Sequence, residues 1–121
     1  MRVCGILLLL CIAFPVFATD KSGNYAIWGV GSSSCIKYTT MRAANDVNDY
    51  RKYIMGYLTA YNHLAEDTYS ISGAMTMDEV LSWLDDQCEL KPTSSFDQAI
   101  IEFVISQHDK RSKYPPGGFG R

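Results

Sequence analysis

Two cysteines, Cys35 and Cys88, remain once the N-terminal segment of this 121-residue chain is set aside, and they constrain the fold more than any other feature. That segment, residues 1–18, reads as a secretory signal peptide. Arg2 precedes the apolar run from Val3 to Phe14, and Val16-Phe17-Ala18 offers small or tolerated residues at the cleavage positions. The run is about 12 residues, short of the roughly 20 that a spanning helix requires, so the expectation is export to the periplasm or beyond with no transmembrane anchor. Cys4 and Cys11 lie within it, and Leu10 before Cys11 is too large for a lipoprotein signal. Export delivers the chain to an oxidising compartment, where Cys35 and Cys88 are expected to form a disulfide. Closing so long a loop constrains the unfolded chain by about 4 kcal/mol, comparable with the net stability of a small domain. Two buried free thiols are the competing reading. A redox-active pair is disfavoured, because the chain has no Cys-x-x-Cys.

Charge sets a second bound. Without Arg2, ten basic residues face thirteen acidic ones, a net −3 that argues against a nucleic-acid partner. The distribution is uneven: Lys110, Arg111, Lys113 and Arg121 against Asp109 give residues 108–121 a net +3 and leave −6 on residues 19–107. Pro115-Pro116-Gly117-Gly118 has little with which to pack, so residues 110–121 are expected to form a flexible basic tail.

Between arm and tail the pattern is helical. Residues 19–34 are rich in Gly and Ser, with Tyr25, Ile27 and Trp28 as large apolar side chains, and read as an N-terminal arm lying over the core. Ser32-Ser33-Ser34 caps a first helix from about residue 35 to 44. The firmest pattern runs from about residue 46 to 65, capped by Asn45 or Asp46: Val47, Tyr50, Tyr53, Ile54, Tyr57, Leu58, Tyr61 and Leu64 share one broad stripe. Gly56 and Ala60 at the stripe's edge are expected to let another helix or the arm approach closely. Residues 66–74 break the pattern and read as a loop. A capping box, Thr76 to Glu79, opens a helix that carries Cys88 on its apolar face and stops before Pro92. A second box, Ser95 to Gln98, opens the last helix, to about residue 109, with the stripe Phe96, Ala99, Ile100, Phe103 and Val104. No comparable strand alternation occurs. The expectation is an all-α fold: a single domain at residues 35–109, a small bundle of about four helices with one disulfide.

These residues resemble a family. Trp28, then Ser34-Cys35 opening a short helix, a long helix with Tyr53-Ile54-Met55-Gly56-Tyr57, a Ser72-Gly73 loop and a capped helix ending in Cys88 are similar to the HdeA/HdeB family of small periplasmic acid-stress chaperones. The Tyr-Ile-x-Gly segment also resembles the related immunity proteins of type VI secretion systems. The resemblance spans residues 28–105 and implies a Cys35–Cys88 bridge. It also implies a noncatalytic, protein-binding role, either chaperoning at low pH or neutralising a secreted effector. Three departures stand out: six residues separate Trp28 from Cys35, where the chaperones have a tighter spacing, the basic Pro-Gly tail has no counterpart, and the further cysteines common in the immunity family are lacking.

Candidate contact residues follow from the stripes. Tyr50, Tyr53, Tyr57 and Tyr61 form a ridge on one helix, suited either to recognition or to a core whose hydroxyls reach solvent at its margin. Ile101 and Ile105 lie off the main stripe of the last helix, leaving a strip that serves as a dimer or partner interface unless the arm with Trp28 covers it. Chemistry-bearing motifs are scarce. His63 with Glu66 and Asp67 is an incomplete ligand set at a helix end, and Asp85, Asp86 and Glu89 read as a solvated acidic face. No Gly-x-Ser-x-Gly elbow occurs. Neither an enzyme nor a metal or other cofactor is expected. Full protonation of the carboxylates and both histidines would take the net charge from −3 to +12, which permits acid loosening without selecting it.

Overall fold

Four helices and a 3₁₀ turn at each end make up the computed structural model, which describes residues 19–117; the expected signal peptide lies outside the described residues. The helices are α1 (Cys35–Ala43), α2 (Asn48–Leu64), α3 (Met77–Leu90) and α4 (Phe96–Gln107). No strand occurs among the described residues, and the fold is a small all-α bundle.

Three of the four helices start where a hydroxyl side chain takes up an amide that the helix itself cannot satisfy. Ser34 accepts from the Lys37 amide, Thr76 from Glu79 and Ser95 from Gln98, at 3.2, 3.2 and 3.1 Å. The box at α3 is complete, with the Thr76 amide donating to Glu79 Oε2 at 2.6 Å. At α4 only half of the expected box forms, because the Gln98 side chain turns to Glu102 instead. The start of α2 departs from expectation. Its cap is Val47, with no side-chain hydrogen bond, and Asn45 belongs to the end of α1. Asn45 adopts φ 54°, its amide donates to the Arg42 carbonyl and that of Asp46 to Met41, the paired bonds that close a helix C-terminus through a left-handed residue.

The expected disulfide is present. Cys35 opens α1, Cys88 lies in the last turn of α3, and their Cα atoms are 5.0 Å apart. Beside it the starts of α1 and α4 clasp each other: the Cys35 amide donates to the Ser94 carbonyl and the Phe96 amide to Ser33, both at 2.8 Å. First-turn amides of both helices are thus satisfied reciprocally. α1, α3 and α4 pack on one another, and the 3₁₀ turn Gly29–Ser32 is wedged between α2 and α4. The core is centred on Tyr38, Tyr50 and Phe96, whose ring centroids lie 4.7 to 5.1 Å apart, with Ile54, Leu81, Leu84, Ile100 and Phe103 around them.

The loop reading of residues 66–74 holds, and the expectation for the tail needs correction. Residues 66–74 are irregular, yet Ile71 within them is fully buried, its amide held by Asn62 Oδ1 at 2.7 Å. The basic tail is not free from residue 110. Ser112 exchanges both backbone hydrogen bonds with Ser70, and Arg111 Nε donates to the Asp67 carbonyl and to Thr68 Oγ1, both at 3.1 Å.

Candidate functional site

The arm reaches the bundle at one point that admits no side chain. Gly31 is buried, and a Cβ there would overlap the hydroxyl end of the Tyr53 ring and come within 2.8 Å of Ile27 Cγ2. With the chain pressed against α2 at Gly31, the preceding residues, 25–29, run along the gap between α2 and α4 and form one wall of a groove.

The arm is fastened by a carboxylate. Tyr25 Oη donates to Asp97 Oδ2 at 2.6 Å and Tyr53 Oη to Asp97 Oδ1 at 3.1 Å, so one side chain of α4 joins the arm to α2. Asp97 is only 2% exposed, and its place in the first turn of α4 lets the helix dipole favour its negative charge. That charge is felt by the phenols around it. The hydrogen bond to Asp97 is the main reason the Tyr25 hydroxyl is pushed up to about 12. Burial followed by Asp97 raises Tyr57 to about 12 and lifts Tyr53 further.

The groove has a volume of about 610 Å³, and Tyr25, Ile27, Trp28, Tyr53, Tyr57 and Ile101 give it an aromatic and aliphatic lining, with Asp97 in its wall and Lys52 at its edge. Trp28 stands 84% exposed. Gly56 also lines the groove, and a Cβ there would meet nothing within 4 Å, so the expected close approach at Gly56 does not occur and its bareness widens the groove. A second depression of about 490 Å³ adjoins it, sharing Tyr57 and continuing over Ala60, Tyr61 and Leu64.

The residues singled out in the sequence divide accordingly. Tyr50 is buried in the core at 3% exposure and presents no surface, a correction to its placement on the recognition ridge. Tyr53 and Tyr57 are half-buried in the groove, and Tyr61 lines the adjoining depression. Ile101 is half-buried in the groove, whereas Ile105, one helical turn further along α4, is 65% exposed. The arm therefore meets the isoleucine strip at Ile101, where Trp28 lines the same groove, and leaves Ile105 uncovered. Asp86 and Glu89 are exposed as expected of a solvated acidic face, whereas Asp85 is half-buried: its Oδ1 accepts the buried Tyr38 hydroxyl at 2.6 Å, and Arg42 Nε sits 3.2 Å from both of its oxygens, bracing α1 against α3. Burial first, then Asp85, pushes the Tyr38 hydroxyl well above the ordinary phenol range. His63, Glu66 and Asp67 are exposed, and among the described residues no three His, Cys, Asp or Glu side chains are grouped to hold a metal.

Asp97 and Tyr25 were missed. An acidic residue in a first helical turn is ordinary, and nothing local marks it as the acceptor for a tyrosine 72 residues away. No helix among the described residues is long and apolar enough to cross a membrane. No family model, curated protein or solved structure matches the chain.

Proposed function

We propose that this chain is a noncatalytic, exported protein-binding domain whose binding face is the aromatic groove between the arm, α2 and α4, together with the adjoining Tyr57 to Leu64 depression. The observation that carries this reading is Trp28, 84% exposed at a groove whose wall is fixed by Gly31 and the Asp97 latch. A large ring left uncovered beside half-buried tyrosines and Ile101 is the composition of an interface centre, where Trp and Tyr contribute most of the binding energy. The disulfide, the reciprocal clasp of α1 and α4 and the latched arm hold that surface ready-made. Such preorganisation lowers the ordering cost of binding and favours one cognate over many unfolded clients. Between the two roles implied by the HdeA-like resemblance, the rigid groove supports the immunity or inhibitor kind. The acid-activated chaperone is the alternative, in which low pH loosens the bundle and exposes its helix faces.

The test is recovery of a cognate at neutral pH by the exported, disulfide-bonded protein, followed by reconstitution of the complex from purified components. Trp28→Ala and Leu64→Ser together should abolish the complex while leaving the helical circular dichroism unchanged. The double variant binding as well as the parent would remove the groove from the interface. Suppression of client aggregation only at low pH, with no neutral cognate, would favour the chaperone.

A further inference from the structure

Asp97 brings a charge into the groove without a cationic partner of its own. Among the described residues the ion pairs are Arg42 with Asp85, Arg51 with Asp78 and Lys91 with Glu102, and none involves Asp97. Its two donors are the neutral hydroxyls of Tyr25 and Tyr53, which occupy two of the roughly four acceptor positions of a carboxylate. A buried carboxylate so placed gains most from a cation that arrives already partly desolvated. The groove that it lines also carries Tyr25, Trp28, Tyr53 and Tyr57, and the faces of such rings attract cations. Guanidinium is the side-chain cation that suits both features, since it is weakly hydrated, stacks on aromatic rings and donates a planar fork to a carboxylate.

We propose that the groove receives an arginine side chain of the protein partner, held by the Asp97 carboxylate and the surrounding aromatic faces. This rests on the protein-binding reading of the groove and specifies the chemistry of what enters it. The net −6 of residues 19–107 acts in the same direction, steering a basic surface towards this body. Lys52 opposes it. Its side chain lines the groove edge, but the residue is exposed and its flexible stem lets the ammonium swing into water. The rival account is that Asp97 serves only as a helix-start acid and a tyrosine acceptor. In that case a neutral isostere of arginine fits the groove equally well.

The probes are acetyl-arginine amide and acetyl-citrulline amide, the second matching the first in shape without its charge. They are titrated into the exported, disulfide-bonded protein while the two indole N–H resonances are followed by NMR. Trp28 reports the groove, and Trp83, half-buried against Phe103 at 5.3 Å and outside the groove lining, serves as the internal control. The arginine probe should move the Trp28 resonance and saturate in the millimolar range, with citrulline weaker by about fivefold or more. Asp97→Asn should erase that difference. Lys52→Gln, an exposed change that leaves the fold alone, should tighten arginine by about twofold through loss of a like charge. Equal binding of the two probes, no shift at Trp28, or weaker arginine binding in Lys52→Gln would each overturn the proposal. A reconstituted partner complex that depends on Trp28 but tolerates Asp97→Asn would leave the protein-binding role standing and remove the arginine alone.

Discussion

Tyr50 carries the buried side-chain polar atom that has no hydrogen-bond partner among the described residues. Its ring is wedged edge-on between Tyr38 and Phe96 at 5.1 and 4.8 Å, and that packing holds the ring while leaving its hydroxyl unpaired. Tyr38 is as deeply buried but finds Asp85, and Tyr53, one turn along α2 from Tyr50, finds Asp97. Four tyrosines that look equivalent on a helical stripe therefore have different fates, because periodicity fixes which side of a helix turns inward but not where the end of a long ring emerges. Replacing Tyr50 by Phe keeps the ring contacts and removes only the unpaired group. Urea denaturation of Tyr50→Phe should show unchanged stability or a gain of about 1 kcal/mol. A loss of that size would mean that the hydroxyl has a partner in solution.

At the scale of elements, what was legible in the sequence was what is decided locally. Ser34, Thr76 and Ser95 announce α1, α3 and α4 because a cap needs only one side chain and the next three residues. Asn45 misled because asparagine serves two purposes: its side chain caps helix starts, and its backbone tolerates the left-handed conformation that ends helices, the role it takes here. Ile71 and the Ser70–Ser112 bridge lay beyond reading, since loop residues carry no periodicity and their partners are distant in sequence. The groove was half visible, as a tyrosine ridge and an off-stripe isoleucine, while the arm's path over it depends on the close fit of Gly31 to Tyr53. Gly56 gives an element-level test. It sits in mid-α2 with open space where its side chain would be, so Gly56→Ala should raise stability by about 1 kcal/mol through helix propensity alone. A loss, measured by thermal unfolding, would show that something packs there. The disulfide gives another. Cys35→Ala with Cys88→Ala should cost about 4 kcal/mol, and amide exchange should show α1 opening first, because the bond ties its first turn to the end of α3. Uniform loss of protection across all four helices would instead mean that α1 does not open as a separate unit.

The molecule as a whole responds to pH from both directions, and the two responses have different physical origins. Towards acid, the carboxyls held below their ordinary range are Asp20, chiefly by the Asn24 and Ser22 amides in the arm's first turn, and Glu79, by the Thr76 amide of the α3 cap. Their stabilisation is present at neutral pH and is lost as pH falls through their folded values, so acid loosens the arm's start and the α3 cap. Towards alkali, the phenols dominate. Tyr25 and Tyr57 are raised to about 12, and Tyr38 and Tyr53 lie higher, against an ordinary value near 10. Above pH 10 the unfolded chain has released these protons while the folded chain retains them. The folded state then binds more protons, and stability must fall as pH rises from 10 through 12. Urea midpoints should decline over that window. Tyrosinate absorbance should show these four phenols ionising later in the native protein than in urea. Asp97→Asn separates the causes: Tyr25, raised chiefly by its bond to Asp97, should return towards 10, whereas Tyr57, raised first by burial, should remain high. Coincident native and unfolded titrations would mean that the phenols are neither buried nor latched in solution, and the wall that Tyr25 gives the groove would be lost with them.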